Sequence, residues 1–236
     1  MGTPMLRAIF DEPPRQDSGL LLEANEAIRG YLRTVTRTKK GAAPTPEERR
    51  YAIWCQSFLR ALDEMEQSQY AAARYGERVK TSFIDRMERE ELDDYHRHLY
   101  YYNNALIRLF AVLDKLGHFM NERFALKTEK IKSRFSYFTV LRNMHQHKLF
   151  IDLEAKLYEL KTSYKEPLTH LRNQRNMEIH TINADLLDDL MKAEEAKYGE
   201  RPRPETEDVR GNLADLGQGC DMAFRSVTTV FRYLVR

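Results

Sequence analysis

Among the residues of this chain, chemistry is concentrated in Leu168-Thr-His-Leu-Arg-Asn-Gln-Arg-Asn-Met-Glu-Ile-His180, where Arg175, Asn176 and His180 share six positions. A guanidinium binds phosphate through two parallel N–H donors and stays charged at any working pH. An imidazole titrates near neutrality and can take the proton from a ribose 2′-OH. Attack of that oxygen on the adjacent phosphorus needs no metal and leaves a 2′,3′-cyclic phosphate and a 5′-OH. DNA, lacking the 2′-OH, would resist. The motif holds one histidine, so a second group must protonate the leaving oxygen. Two motifs facing each other in a homodimer would supply both acid and base. Arg172, three residues before Arg175, reads either as an auxiliary phosphate contact or as a solvated first-turn arginine, and His170 as a bystander.

The same pattern occurs once more, at Arg142-Asn143-Met-His-Gln-His147. At most one copy is expected to act. The later copy is preferred for its position: it follows an amphipathic segment over about 149–163 and a break at Lys165-Glu-Pro167, and then opens a helix of its own. Its seam runs Leu168, Leu171, Arg175, Glu178 and Ile182, and charged residues in an inward seam must be paired or line a cleft. An Arg175–Glu178 ion pair at a solvent rim is the plain alternative. Between Lys127 and Lys148 six Lys or Arg residues face the single acid Glu129. Lys132, Arg134 and Arg142 in this run could follow an RNA backbone, or the run could be a solvated face. Tyr100, Tyr101 and Tyr102 could stack on bases, but core or interface roles suit consecutive helical residues better. His96 and His98, two apart, cannot chelate together from a helix, so no metal is assigned, and no cofactor is implied.

These residues have to be positioned by helices. Leu99, Tyr102, Leu106, Leu109, Leu113, Leu116 and Met120 recur at three- and four-residue steps, as do Leu213, Leu216, Cys220, Ala223, Val227, Val230 and Leu234. Shorter stripes are Leu21, Ala24, Ile28, Tyr31, Val35 and Phe150, Leu153, Leu157, Leu160. Such spacing lays one apolar stripe along a helix, and no stretch alternates with period two. The expected fold class is all-α, a bundle of seven or eight helices with long antiparallel members. Thr45-Pro-Glu-Glu48 reads as a capping box that starts a helix reaching about Gly76, with Trp54, Phe58 and Met65 inward. The helical signal from Ser82 to Leu126 is expected to bend or break near Asp93-Asp94. Residues 188–208, ending in Arg201-Pro-Arg-Pro204, read as an exposed acidic excursion. Residues 1–80 are expected to form an N-terminal helical region packed on or extending a domain over 81–236.

Composition narrows the field. The 236 residues carry 38 Lys plus Arg against 36 Asp plus Glu, a net charge too small to name or exclude a nucleic-acid partner. The 42% hydrophobic content is enough to bury a core. Cys55 and Cys220 stand alone, so a zinc or disulfide framework is not expected and a reducing compartment fits. The first residues hold no basic stretch followed by an apolar one, and no apolar run reaches membrane-spanning length, so a cytoplasmic location with no membrane partner is expected. The chain has no Walker A loop, no G-x-G-x-x-G, no H-E-x-x-H and no G-x-S-x-G. A di-iron bundle needs two Glu-x-x-His pairs, which are also missing.

Arg175-Asn176-x-x-x-His180 on a late helix of an all-α chain resembles the R-x4-6-H motif, in its Arg-Asn form, of the HEPN superfamily. The helix containing Tyr101-Tyr-Asn-Asn-Ala-Leu-Ile-Arg-Leu-Phe-Ala-Val-Leu-Asp-Lys-Leu-Gly117 is similar in texture to prokaryotic stand-alone members. The resemblance covers about residues 80–236. It implies a metal-independent endoribonuclease whose cleft is built from two motifs in a homodimer, in a toxin–antitoxin, anti-phage defence or stress setting. Arg175 would hold the scissile phosphate, His180 would act as base or acid, and Asn176 would orient them. An antitoxin or activator protein is an implied partner. Some family toxins are modified on a tyrosine two residues after the histidine; Ile182 stands there, a departure from that form of control. The alternative carried by the resemblance is a non-catalytic module binding a nucleotide, RNA or a partner protein.

Overall fold

The computed structural model describes residues 5–36, 43–180, 193 and 206–235, with backbone only for Met5, Glu178, Ile179 and His180. Among them are eight α-helices and no β-strand: α1 Met5–Ile9, α2 Gly19–Val35, α3 Pro46–Gly76, α4 Arg89–Arg123, α5 Tyr137–Gln146, α6 Ile151–Ser163, α7 Lys165–His180 and α8 Val209–Leu234. Two 3-10 turns, Ile84–Arg86 and Thr128–Lys130, lie on either side of α4 in sequence. The fold class is all-α, as the spacing of apolar residues predicts. Of the excursion expected over 188–208, all but Ala193 and residues 206–208 lies outside the described residues, as does most of the loop after Lys39.

The chain forms two compact units. One comprises residues 1–66, 108–165 and 220–236; the other comprises 67–107 and 166–219. The core of the first is aromatic. Phe119 and Phe231 stack at 5.1 Å, Phe58 meets Phe231 edge-on at 5.3 Å, and Tyr31 closes on Phe231 at 5.7 Å. Phe58, Phe119 and Phe231 are wholly buried, and Met65 joins them, while Trp54 stays partly exposed beside Phe58. Tyr137 is also buried, its backbone N–H donating to Asp114 Oδ1 and its hydroxyl donating to Ser226 Oγ.

Local rules account for the ends of the elements. Thr45 and Glu48 form the expected reciprocal cap on α3: Glu48 N–H donates to Thr45 Oγ1 at 3.1 Å and Thr45 N–H to Glu48 Oε2 at 2.6 Å. Two boundaries differ from expectation. Helix α4 is unbroken through Asp93-Asp94, because the carboxylate of Asp94 is buried and held by Arg78 and Arg97. The interruption comes earlier, at Met87-Glu88, where Glu91 in the first turn of α4 accepts the N–H groups of Lys80 and Thr81. Likewise only Tyr164 separates α6 from α7. Pro167 lies inside the first turn of α7, where its missing N–H would have had no intrahelical acceptor.

Candidate functional site

Helix α7 belongs to the second unit and is anchored by its apolar side. Leu168 and Leu171 are buried at 2% and 0% exposure. The next turn continues the anchoring with an amide instead of a hydrocarbon. The Tyr102 hydroxyl of α4 donates to Gln174 Oε1 at 2.5 Å, and Gln174 Nε2 donates to Asn212 Oδ1 of α8 at 2.6 Å. Asn212 Nδ2 then donates to Glu207 Oε2 at 3.1 Å, and Glu207 N–H donates to the Tyr95 hydroxyl at 3.3 Å. Each group in this relay has a polar partner, as half-buried amides require. It lies one residue before Arg175, so it holds the backbone from which Arg175 projects.

Beneath Tyr102 sits His98, 1% exposed, its ring 5.8 Å from that of Tyr102. Its Nδ1–H donates to the Ala72 carbonyl at 2.8 Å, and burial pushes its pKa down, so this imidazole is held neutral. A β-carbon on Gly76 would stand 2.9 Å from His98 Nδ1 and 3.0 Å from both Leu213 and Val209, so any larger residue at the end of α3 would push these side chains aside.

The motif begins on that same side of α7, where Arg175 continues the seam of Leu168 and Leu171, and turns outward from there. Arg175 is partly buried, and its Nη2 donates to Asn176 Oδ1 at 3.3 Å; Asn176 and Arg172 are exposed. Steps of four residues drift only about 40° around a helix, so Arg172, Asn176 and position 180 fall in one row, with Arg175 beside it. The side chain of His180, that of Glu178 with its possible pairing to Arg175, and Ile182 lie outside the described residues. Thus α7 brings Arg172, Arg175, Asn176 and the backbone of His180 onto one helix. Lys132, Arg134 and Arg142 are exposed too, but they belong to the first unit.

The earlier copy of the motif has a different local environment. Asn143 is buried, and its Nδ2 donates to the Leu126 carbonyl at 3.1 Å and to Thr128 Oγ1 at 2.9 Å, fastening the turn after α4. His147 caps the end of α5, its Nδ1–H donating to the Asn143 carbonyl at 3.1 Å. Two further histidines have acid partners. His170 Nδ1 lies 3.0 Å from Asp215 Oδ2, and His145 Nδ1 lies 3.0 Å from Glu154 Oε1. Gln174 and Asp215 carry no local sequence signal, since their partners stand 38 to 72 residues away. Among the described residues no three His, Cys, Asp or Glu side chains are grouped to hold a metal. No helix among them is long and apolar enough to cross a membrane.

The model of one family, HEPN_Cthe2314-like HEPN, matches residues 54–235, beginning within α3 and including both copies of the motif. No curated protein and no solved structure matches the chain.

Proposed function

The chain belongs to the HEPN family in its Cthe2314-like form, and from that premise we propose that it is a metal-independent endoribonuclease. The observation that carries this reading is the Arg175-Asn176-x-x-x-His180 motif, placed on one anchored helix well inside the family match. Arg175, oriented by its hydrogen bond to Asn176, grips the scissile phosphate and neutralises the charge that builds on it. His180 removes the 2′-OH proton as O2′ attacks phosphorus. The P–O5′ bond breaks, and a protonated histidine returns a proton to O5′. Products are a 2′,3′-cyclic phosphate and a 5′-OH, with no oxidant, metal or external nucleophile consumed.

One His180 per chain leaves the acid to be found. A second copy of the chain supplies it when two α7 helices face each other, which makes the working form a homodimer. Arg172, in the same row as Asn176, extends the phosphate contacts along the strand. Lys132, Arg134 and Arg142 add further contacts to the RNA backbone. A cytoplasmic location and a toxin–antitoxin, defence or stress setting, with an antitoxin or activator as protein partner, complete the proposal.

The test is incubation of total RNA and a labelled tRNA with the protein in EDTA, beside His180→Ala and His147→Ala, with product ends mapped. The expected result is cuts ending in 2′,3′-cyclic phosphate, lost by at least about 100-fold in His180→Ala and kept in His147→Ala. The reverse pattern would assign the earlier copy. No cleavage by folded wild-type protein would leave the family's non-catalytic binding role as the better reading.

A further inference from the structure

The first unit carries a groove walled by α2, α6 and α8. Its volume is about 540 Å³, within the ordinary range for small-molecule sites. A smaller hollow of about 200 Å³ shares Lys156, Thr228, Thr229 and Arg232 with it. The chemistry of the lining is specific in three ways.

First, charge is unevenly committed. Arg232 is paired with Glu23 at 3.1 Å, so the α2 wall is internally neutral. Lys156 of α6 and Arg225 of α8 also line the groove, and among the described residues the side chain of neither makes a hydrogen bond or an ion pair. Arg225 feels Asp221, four residues earlier on its own helix, without closing a pair with it. Two uncommitted cations from two different helices thus share one concave surface.

Second, the hydroxyls of Thr228 and Thr229 donate to the carbonyls of Phe224 and Arg225 at 2.9 and 2.8 Å. Their protons are spent within the helix, so their remaining lone pairs can only accept. Glu159 adds a carboxylate acceptor, and Ser163 and Tyr164 add further hydroxyls. Third, Leu20 and Leu160 give part of the wall an apolar surface able to cover a carbon skeleton.

We infer that this groove binds a phosphorylated, hydroxyl-bearing small molecule, with its phosphate on Lys156 and Arg225 and its hydroxyls donating to Thr228, Thr229 and Glu159. A free sugar phosphate and the sugar-phosphate part of a nucleotide share that chemistry. The site is independent of RNA cleavage and stands or falls without it.

Isothermal titration calorimetry of the full-length protein tests it, with ribose 5-phosphate, adenosine 5′-monophosphate, inorganic phosphate and unphosphorylated ribose as separate titrants. Lys156→Ala, Arg225→Ala and the double variant are titrated beside the wild type. Both side chains are exposed, so the fold should survive, and melting by circular dichroism checks that it does. The expected result is binding of ribose 5-phosphate that is at least about tenfold weaker in each single variant and lost in the double one. Ribose and inorganic phosphate should each bind more weakly than the two joined. Tighter binding of the nucleotide than of ribose 5-phosphate supports the site and names the nucleotide as its ligand; equal affinity names the sugar phosphate. Absence of binding by either organic phosphate, binding indifferent to the double variant, or ribose binding as well as ribose 5-phosphate would overturn the inference.

Discussion

His98 shows how a single titratable group ties the candidate site to pH. Its Nδ1–H is fixed to the Ala72 carbonyl, and burial lowers its pKa below the usual value of about 6.5. The folded state therefore refuses a proton that the unfolded chain accepts once pH drops below about 6.5. Stability from this source is complete above that value and falls as pH decreases toward the lower folded value. His98→Asn keeps a donor toward Ala72 and removes the titration. We expect the wild type to lose urea stability relative to this variant between pH 7.5 and pH 5.5, by about 1.4 kcal/mol per pH unit at most. Parallel curves for the two proteins would show that His98 does not titrate in this way. Gln174 works by geometry instead: both ends of its amide are used on Tyr102 and Asn212, which fixes the register of the helix that bears Arg175.

Helix α4 illustrates what an element must satisfy beyond its own stripe. Gly117 faces the start of α5 so closely that a β-carbon would stand 2.7 Å from Tyr137 Cα and 2.9 Å from Tyr137 N. Backbone cannot retreat as a flexible side-chain tip can, and Tyr137 is further tied to Asp114 and Ser226. Elsewhere in a helix Gly→Ala stabilises by up to about 1 kcal/mol. Here the sign should reverse, with Gly117→Ala lowering stability by about 1–3 kcal/mol, the usual cost of overpacking. Chemical denaturation measures it, and a stabilised variant would mean that α5 can shift without loss. The same element logic explains why α7 starts directly after Tyr164: a proline in a first turn ends nothing, since that turn has no acceptor for its N–H.

At the scale of the whole molecule, exposed cations occur in both units: Arg172 in one, Lys132, Arg134 and Arg142 in the other. If RNA is the substrate, the latter three release counterions on binding, each adding roughly 0.7 to the slope of log affinity against log salt for a single strand. Replacing all three by Ala should flatten that slope by about 2 while leaving the position of the cut unchanged. An unchanged slope would remove them from the RNA path. Cys55 and Cys220 bear on the same scale. Both are fully buried, and burial pushes the thiol of Cys55 up to about 12 and that of Cys220 higher than its ordinary value as well, which suits packing and not reactivity.

From the sequence alone, much of this protein could be read. The three- and four-residue steps of Leu106, Leu109, Leu113, Leu116 and Met120 describe a buried face in full, because burial along a helix is a periodic property of neighbouring residues. The capping box at Thr45 and the Arg-Asn-x-x-x-His motif are equally local and were legible for that reason. The motif could not distinguish its two copies, since Asn143 and Asn176 differ only in what surrounds them: one is buried against Leu126 and Thr128, the other stands exposed beside Arg175. The continuity of α4 through Asp94, the Tyr102–Gln174–Asn212 relay and the groove around Lys156 and Arg225 were decided by tertiary structure. Arg78 reaches Asp94 from 16 positions away and the relay spans 38 and 72, and no local pattern encodes which distant side chain will meet a buried polar group. Only the packed chain determines that, because the cost of leaving such a group unpaired is paid wherever its partner happens to lie.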